Sequence, residues 1–180
     1  MVLDALAMAK KESLSERTFS VLIGGNLHAG FDDIFASQIL EATKKEINID
    51  VKHSEAIGEM MAAVAKQKFD LAFLYLHFFR PEDKLAHHQR DREFAFTDNK
   101  AILHRIEQLQ QEKVEISSTG FVLISFLSKM HGIPVVVLTG SGYQGVEKQV
   151  EQAGACSFFP IPFDNLQLVE SLREIFLKQK

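Results

Sequence analysis

A run of four aliphatic residues, Val135 to Leu138, most limits the folds open to this chain. The run is too short for a helix and too apolar for a strand with one wet face. It therefore predicts a strand buried on both faces, as in a parallel sheet. A glycine-rich break follows, then apolar residues at helical spacing as far as Gly154, then a short strand at Ser157–Phe159. A strand, a helix and a strand with short connections predict a right-handed crossover unit.

The same alternation of strands and helices extends along the chain. Further strands are predicted at Phe19–Ile23, Ile49–Lys52 and Phe69–His77, and amphipathic helices separate them. One of these helices carries Phe31, Phe35, Ile39 and Ala42 on its apolar face. The pattern predicts an α/β fold with a doubly wound, five-stranded parallel sheet of flavodoxin type, in the order 2-1-3-4-5.

Composition and charge exclude several classes of protein. A hydrophobic content of 46% is that of a folded globule, and a net charge of −4 argues against nucleic acid as a partner. Cys156 is the only cysteine, so no disulfide framework is expected. We expect no secretory leader, and no apolar run approaches the roughly 20 residues that a membrane span needs. We therefore expect a cytoplasmic protein that does not bind a membrane.

The last third of the sequence resembles the receiver domain of two-component response regulators. LTGSG, EQAG and FFPIPF stand where that family has a strand ending in Thr or Ser, a helix ending in glycine, and a strand ending in Lys-Pro-Phe. Thr139, Phe158 and Pro162-Phe163 match, whereas Ile161 replaces the lysine. The resemblance covers roughly residues 19–80 and 119–178. It implies a cis peptide bond before Pro162.

The resemblance also implies where a phosphorylation site would lie. A working receiver has an acidic pair after its first strand, a phospho-accepting aspartate after its third, and a lysine after its fifth. The carboxylate attacks a phosphoryl group whose charge a metal and the lysine offset. The acidic pair falls on Gly24 and Gly25. The aspartate falls on Tyr75 and the lysine on Ile161, and only Thr139 is retained.

These losses imply a degenerate receiver, or pseudo-receiver, that is not phosphorylated and is not an enzyme. We expect no cofactor and no metal ion. The domain is expected to span residues 19–180, after an N-terminal helical extension at residues 1–18. An insertion at about residues 82–118 lengthens the connection between the third strand and the third helix.

A helix is predicted inside the insertion, because a structureless loop of this length is unusual in a compact domain. The predicted helix runs from Thr97, as the N-cap, to Gln111, with Ile102, Ile106 and Leu109 on its apolar face.

Polar residues of the insertion are expected to remain exposed and to contact a partner protein. The residues singled out for this surface are His88, Arg90 and Arg92. We expect a chain that lacks residues 84–116 to keep its sheet and to lose the partner.

Two functions from different classes stay open. The first is a protein–protein interaction module in bacterial signal transduction, whose partner is a kinase, a regulator, a scaffold or a second copy of the chain. The second is a sensor of a small ligand in the emptied receiver cleft. That ligand is a nucleotide, an anion or a cobalamin-like molecule. The cobalamin-like molecule is considered because Asn26–Gly30 is similar to the D-x-H-x-x-G loop of cobalamin-binding domains. The predicted cleft residues are Gly25, Asn26, His28, Tyr75, Thr139 and Ser141.

Overall fold

Five parallel strands form one sheet in the order β2-β1-β3-β4-β5, which confirms the predicted topology. The strands are β1 (Thr18–Gly24), β2 (Asn48–Ser54), β3 (Leu71–Tyr75), β4 (Val135–Thr139) and β5 (Ser157–Pro160). The computed structural model describes residues 17–25, 47–76, 94–96, 98–112, 119–140 and 146–179, with Leu14, Glu41, Thr43, Arg92 and Ile116 as single positions.

Helices follow the strands as the sequence predicted. They are α1 (Ile57–Lys66), α2 (Asn99–Gln111), α3 (Phe121–Ser125), α4 (Val146–Ala153) and α5 (Asn165–Lys178). A π-helical turn, Phe126–Met130, continues α3. The helix predicted on Phe31, Phe35, Ile39 and Ala42 falls outside the described residues, as does most of the N-terminal extension. Among the described helices, none is long and apolar enough to cross a membrane.

Buried side chains form one cluster on each face of the sheet. Strands β3 and β4 are buried along their whole length, as the aliphatic run in β4 predicted. Their side chains alternate between the faces, so Leu74 and Val137 join the cluster that includes residues of α1 to α4. Phe73 and Val136 join the cluster on the other face, where Phe176 of α5 packs. The sheet is therefore the middle layer of three.

The inserted helix α2 is part of the core. Ile102, Ile106 and Leu109 are fully buried, and they belong to the same cluster as Leu74 of the sheet. Removing residues 84–116 would therefore uncover apolar side chains of the sheet and of the helices around it. The segment supplies core residues as well as surface, so the expectation that the sheet survives this deletion stays a prediction that the packing of α2 weighs against.

Aspartates start two of the helices. Asp98 is the N-cap of α2, and its side chain accepts a hydrogen bond from the Ala101 N–H at 2.9 Å. The predicted cap, Thr97, lies outside the described residues, and the carboxylate of its neighbour performs the role. Asp164 caps α5 by accepting a hydrogen bond from the Leu166 N–H at 2.8 Å.

A buried hydroxyl joins the insertion to the rest of the fold. Ser125 is fully buried, and its Oγ lies 2.9 Å from the Ala95 carbonyl oxygen and 2.8 Å from that of Ala153. The hydroxyl can therefore donate to the insertion on one side or to α4 on the other.

Replacing Ser125 by alanine should lower the free energy of unfolding by about 0.5–1.5 kcal/mol, since the buried carbonyl that accepts from this hydroxyl loses one of its donors. Ser171→Ala in α5 is the matched control, because the Ser171 hydroxyl is only partly buried and bonds another serine. Urea denaturation of both variants measures the difference. Equal losses in the two variants would contradict the role given to Ser125.

Candidate functional site

Parallel pairing brings the residues that the resemblance matched to a phosphorylation site to one edge of the sheet. Gly24 is the last residue of β1, Tyr75 of β3 and Thr139 of β4. Ile161 follows β5, and its N–H donates to the Thr139 carbonyl at 2.7 Å. Ligands of doubly wound sheets bind at this edge, near the point where the strand order reverses. The edge therefore has the geometry of a ligand site, and its side chains determine what it can do.

The space beside Gly24 is filled by aliphatic side chains. A Cβ at this position would lie 2.8 Å from Leu74 Cδ2 and 3.6 Å from Ile116 Cγ2. Ile116 belongs to the insertion and is fully buried. Sequence reasoning missed this contact, because Ile116 lies in a mostly polar stretch without the regular apolar spacing of a helix or strand. A carboxylate at position 24 would collide with apolar groups.

Gly25 is held in a backbone conformation that other residues rarely adopt. Its φ is +115°, and a Cβ built on it would lie 2.6 Å from the Tyr75 carbonyl oxygen. Its N–H donates to the Ser54 carbonyl at 3.1 Å, and its carbonyl oxygen lies 3.2 Å from His53 Nε2. Ser54 thus ends β2 and does not cap α1. That helix begins after Ala56, without a side-chain cap.

Tyr75 is the residue that the resemblance placed at the position of the phospho-accepting aspartate. The residue is 8% exposed, and burial raises the pKa of its phenol above the ordinary value near 10. The phenol is therefore protonated at neutral pH and is a poor nucleophile. A Cβ at Gly140 would lie 3.6 Å from the phenol oxygen, so the hydroxyl reaches the end of β4. Thr139 beside it is fully buried.

The turn after β5 has the proline and phenylalanine of the matched motif, but Ile161 stands where the motif has a lysine. The Ile161–Pro162 peptide bond is cis, as the resemblance implied. The Ile161 side chain packs against the cluster beneath α5, and the rings of Phe159 and Phe163 meet edge to face with centroids 6.4 Å apart. An aliphatic group therefore occupies the position from which a lysine would pair with a phosphoryl group.

The remaining predicted residues are only partly covered by the structure. Asn26, His28 and Ser141 of the predicted cleft lie outside the described residues, as do His88 and Arg90 of the predicted partner surface.

Arg92 is exposed, as expected for a surface residue, but it also makes contacts of its own. Its Cζ lies 5.7 Å from the ring centroid of Phe121, and its guanidinium donates to the side chain of Gln149 in α4. Within the part of the chain that the structure describes, no three His, Cys, Asp or Glu residues are placed to hold a metal ion.

Solved structures similar to this chain include response regulators. One from Thermotoga maritima has a TM-score of 0.54 at 16% identity, covering 89% of this chain and 99% of its own. A two-component response regulator from Clostridium difficile has a TM-score of 0.55 at 14% identity, covering 91% and 98%. An orphan response regulator of H. pylori has a TM-score of 0.51 at 14% identity, covering 88% and 96%. This chain has the receiver-domain fold.

The similarity lies in the fold alone. No protein family matches the sequence, and no curated protein does. The receiver fold explains why Gly24, Gly25, Tyr75 and Ile161 meet at one edge, because their counterparts meet there in any sheet of this order. None of these four residues carries a carboxylate or an ammonium group.

Proposed function

We propose that this protein is a phosphorylation-independent pseudo-receiver that acts as an interaction module in bacterial signal transduction. One observation carries the proposal: the receiver fold is kept while the phosphorylation site is filled. Leu74 and Ile116 occupy the space beside Gly24, and the buried phenol of Tyr75 stands where a nucleophilic carboxylate is needed. The module works in the cytoplasm, without catalysis and without a metal or cofactor.

The partner in this proposal is another signalling protein, and the contact lies on the insertion. The buried face of α2 packs on the core, so the opposite face adds a surface to the receiver fold. Two large apolar side chains of the insertion are exposed, Phe96 ahead of α2 at 43% and Leu103 on α2 at 39%. Apolar residues on a surface with polar neighbours are typical of protein-binding sites. His88, Arg90 and Arg92 remain part of the proposed surface.

Incubation with acetyl phosphate and magnesium should leave the mass of the protein unchanged. Phosphoryl transfer needs a nucleophilic carboxylate and hard oxygen ligands for the metal, and Gly24, Gly25 and Tyr75 supply neither. Ile161 cannot offset the charge of the product. Intact-mass spectrometry makes the measurement, with a receiver domain that has an intact acidic pair as the positive control.

Beryllofluoride, which imitates a phosphoryl group, should likewise shift no backbone resonance, and millimolar magnesium should not raise the melting temperature. A stoichiometric adduct that hydroxylamine removes, as it removes an acyl phosphate, would contradict the proposal.

The partner surface can be tested by two matched variants. Leu103→Ser on α2 should weaken capture of the partner from an extract of the protein's own cells. Leu166→Ser on α5 removes a side chain that is 74% exposed, the most exposed large apolar group in the described part of the chain, and should leave capture unchanged. Quantitative mass spectrometry of the captured proteins compares the two. Equal capture by Leu103→Ser and the unaltered protein would place the partner elsewhere.

The alternative function is a small-ligand sensor at the emptied cleft. Its described residues are Gly25, Tyr75 and Thr139, of which Tyr75 and Thr139 are buried. Side chains and backbone already fill much of this edge, so the described contacts favour the interaction module. An ultraviolet-absorbing molecule that co-purifies with the protein, and that Tyr75→Phe releases, would instead support the sensor.

A further inference from the structure

A groove lies beside the C-terminal half of α2, among residues different from those of the sheet edge. Its volume of about 450 Å³ falls in the range of small-ligand pockets. The groove is lined by Phe94, Arg105, Gln108, Gln111 and Glu112. Neither the receiver fold nor the proposed partner surface accounts for this combination of an aromatic ring, a guanidinium, two amides and a carboxylate.

Arg105 gives the groove its chemical character. The residue is only 2% exposed, although arginine is almost never fully buried unless it is paired. Its Cζ lies 5.8 Å from the ring centroid of Phe94, so the ring and the guanidinium are in cation–π contact. Its Nη1 lies 3.5 Å from both Gln108 Oε1 and Glu112 Oε1. A buried cation is thus fixed at the wall of a ligand-sized groove.

The carboxylate of Glu112 is a replaceable partner for this cation. The Nη1–Oε1 distance of 3.5 Å exceeds the usual charge-assisted distance of about 2.7–2.9 Å, and the Glu112 side chain is 46% exposed. An exposed carboxylate in a long ion pair contributes little stability. Glu112 can therefore turn into solvent while another anion approaches Arg105 more closely, as the fork of the guanidinium favours.

We propose that this groove binds a small organic anion, in which a carboxylate or phosphate is attached to a planar ring. Arg105 pairs with the anionic group, and Phe94 contacts the ring. Gln108 and Gln111 offer both donors and acceptors to ring substituents. The site lies apart from Gly24, Gly25 and Tyr75, so it stands or falls independently of the inertness to phosphorylation.

Four probes with a common design test the proposal by titration of backbone amide chemical shifts. Benzoate and phenyl phosphate carry the two candidate anions on one ring, benzamide is the neutral counterpart, and inorganic phosphate lacks the ring. We expect at least one of the ring anions to cause saturable shifts at Phe94, Arg105 and Gln108. The tighter of benzoate and phenyl phosphate identifies the anion. Benzamide and inorganic phosphate should bind about tenfold more weakly, or not measurably.

Three variants separate binding from folding. Arg105→Gln should abolish the shifts. Glu112→Gln is conservative and exposed, so it should fold normally and should tighten binding about two- to fivefold by removing the competing carboxylate. Lys100→Gln is the matched control, because Lys100 is an exposed cation on the same helix outside the groove, and it should change nothing.

The direction in which Glu112→Gln changes the affinity for the ring anions decides between a specific binding site and weak attraction to a surface. Unchanged or weaker binding by this variant would overturn the proposal, even if Arg105→Gln failed to fold. Equal binding of benzamide and benzoate would also overturn it. So would the lack of a saturable shift with all four probes in both the unaltered protein and Glu112→Gln.

Discussion

Replacing Gly25 by alanine should lower the free energy of unfolding by about 2–4 kcal/mol, although the substitution adds a single methyl group. The φ of +115° is unfavourable for any residue with a Cβ. In addition, the new Cβ would lie 2.6 Å from the Tyr75 carbonyl oxygen, which the strand holds in place. Gly25→Asp, the substitution that would restore an acidic residue, should be at least as destabilising.

Gly132→Ala is the matched control for this prediction. Gly132 also has a positive φ, +65°, but a Cβ there would have nothing within 4 Å. That variant should therefore pay only the conformational cost, about 1–2 kcal/mol. Urea denaturation with unchanged slope gives both values. If the two glycines tolerate alanine equally well, the collision with Tyr75 is not real, and an acidic residue could be accommodated after all.

Replacing Ile106 by alanine should cost about 2–5 kcal/mol, because a fully buried side chain of α2 leaves a cavity in the main core. Leu103→Ala on the same helix removes a side chain that is 39% exposed, and should change stability by less than about 1 kcal/mol. Both variants gain the same helix propensity from alanine to within a few tenths of a kcal/mol. The difference therefore reports burial.

Hydrogen exchange shows whether this loss reaches the sheet. If α2 belongs to the core, the Ile106→Ala variant should exchange the amide of Val136 in β4 faster, to the same degree as it loses global stability. If the insertion is a separable flap, Val136 should keep its protection while only the amides of α2 exchange faster. The second pattern would restore the idea that residues 84–116 can be deleted without loss of the sheet.

Most of the fold could be predicted from the sequence, since local patterns determine it. The aliphatic run Val135–Leu138 is long enough for a buried strand and too short for a helix, and the structure has β4 there. Alternation of strands and helices then leaves few topologies. The apolar spacing of Ile102, Ile106 and Leu109 likewise identified a helix inside the insertion, with its buried face.

For the site, the sequence could predict which charged residues are missing but not which groups occupy their space. Matching motifs along the chain predicted that Gly24, Tyr75 and Ile161 stand where the family has charged residues. These positions were expected to lie together, because parallel strands place their carboxyl ends at one edge of the sheet. It could not show what replaces the missing charges. Ile116 reaches Gly24 through tertiary packing between segments 92 residues apart in sequence, and no local pattern records such a contact. Arg105 was equally hidden, because an arginine in a polar helix is normally exposed.

The packing of Leu74 and Ile116 against Gly24 also bears on how a phosphorylation site could be built into this fold. A carboxylate at position 24 would lie beside two aliphatic side chains, and the Leu74 side chain, whose Cδ2 lies 2.8 Å from the Cβ position, would have to turn aside. The other residue, Ile116, belongs to the insertion, whose helix α2 forms part of the core. An unpaired carboxylate in apolar surroundings is costly, and burial raises its pKa. A designer would therefore have to change the lining of this edge together with residue 24.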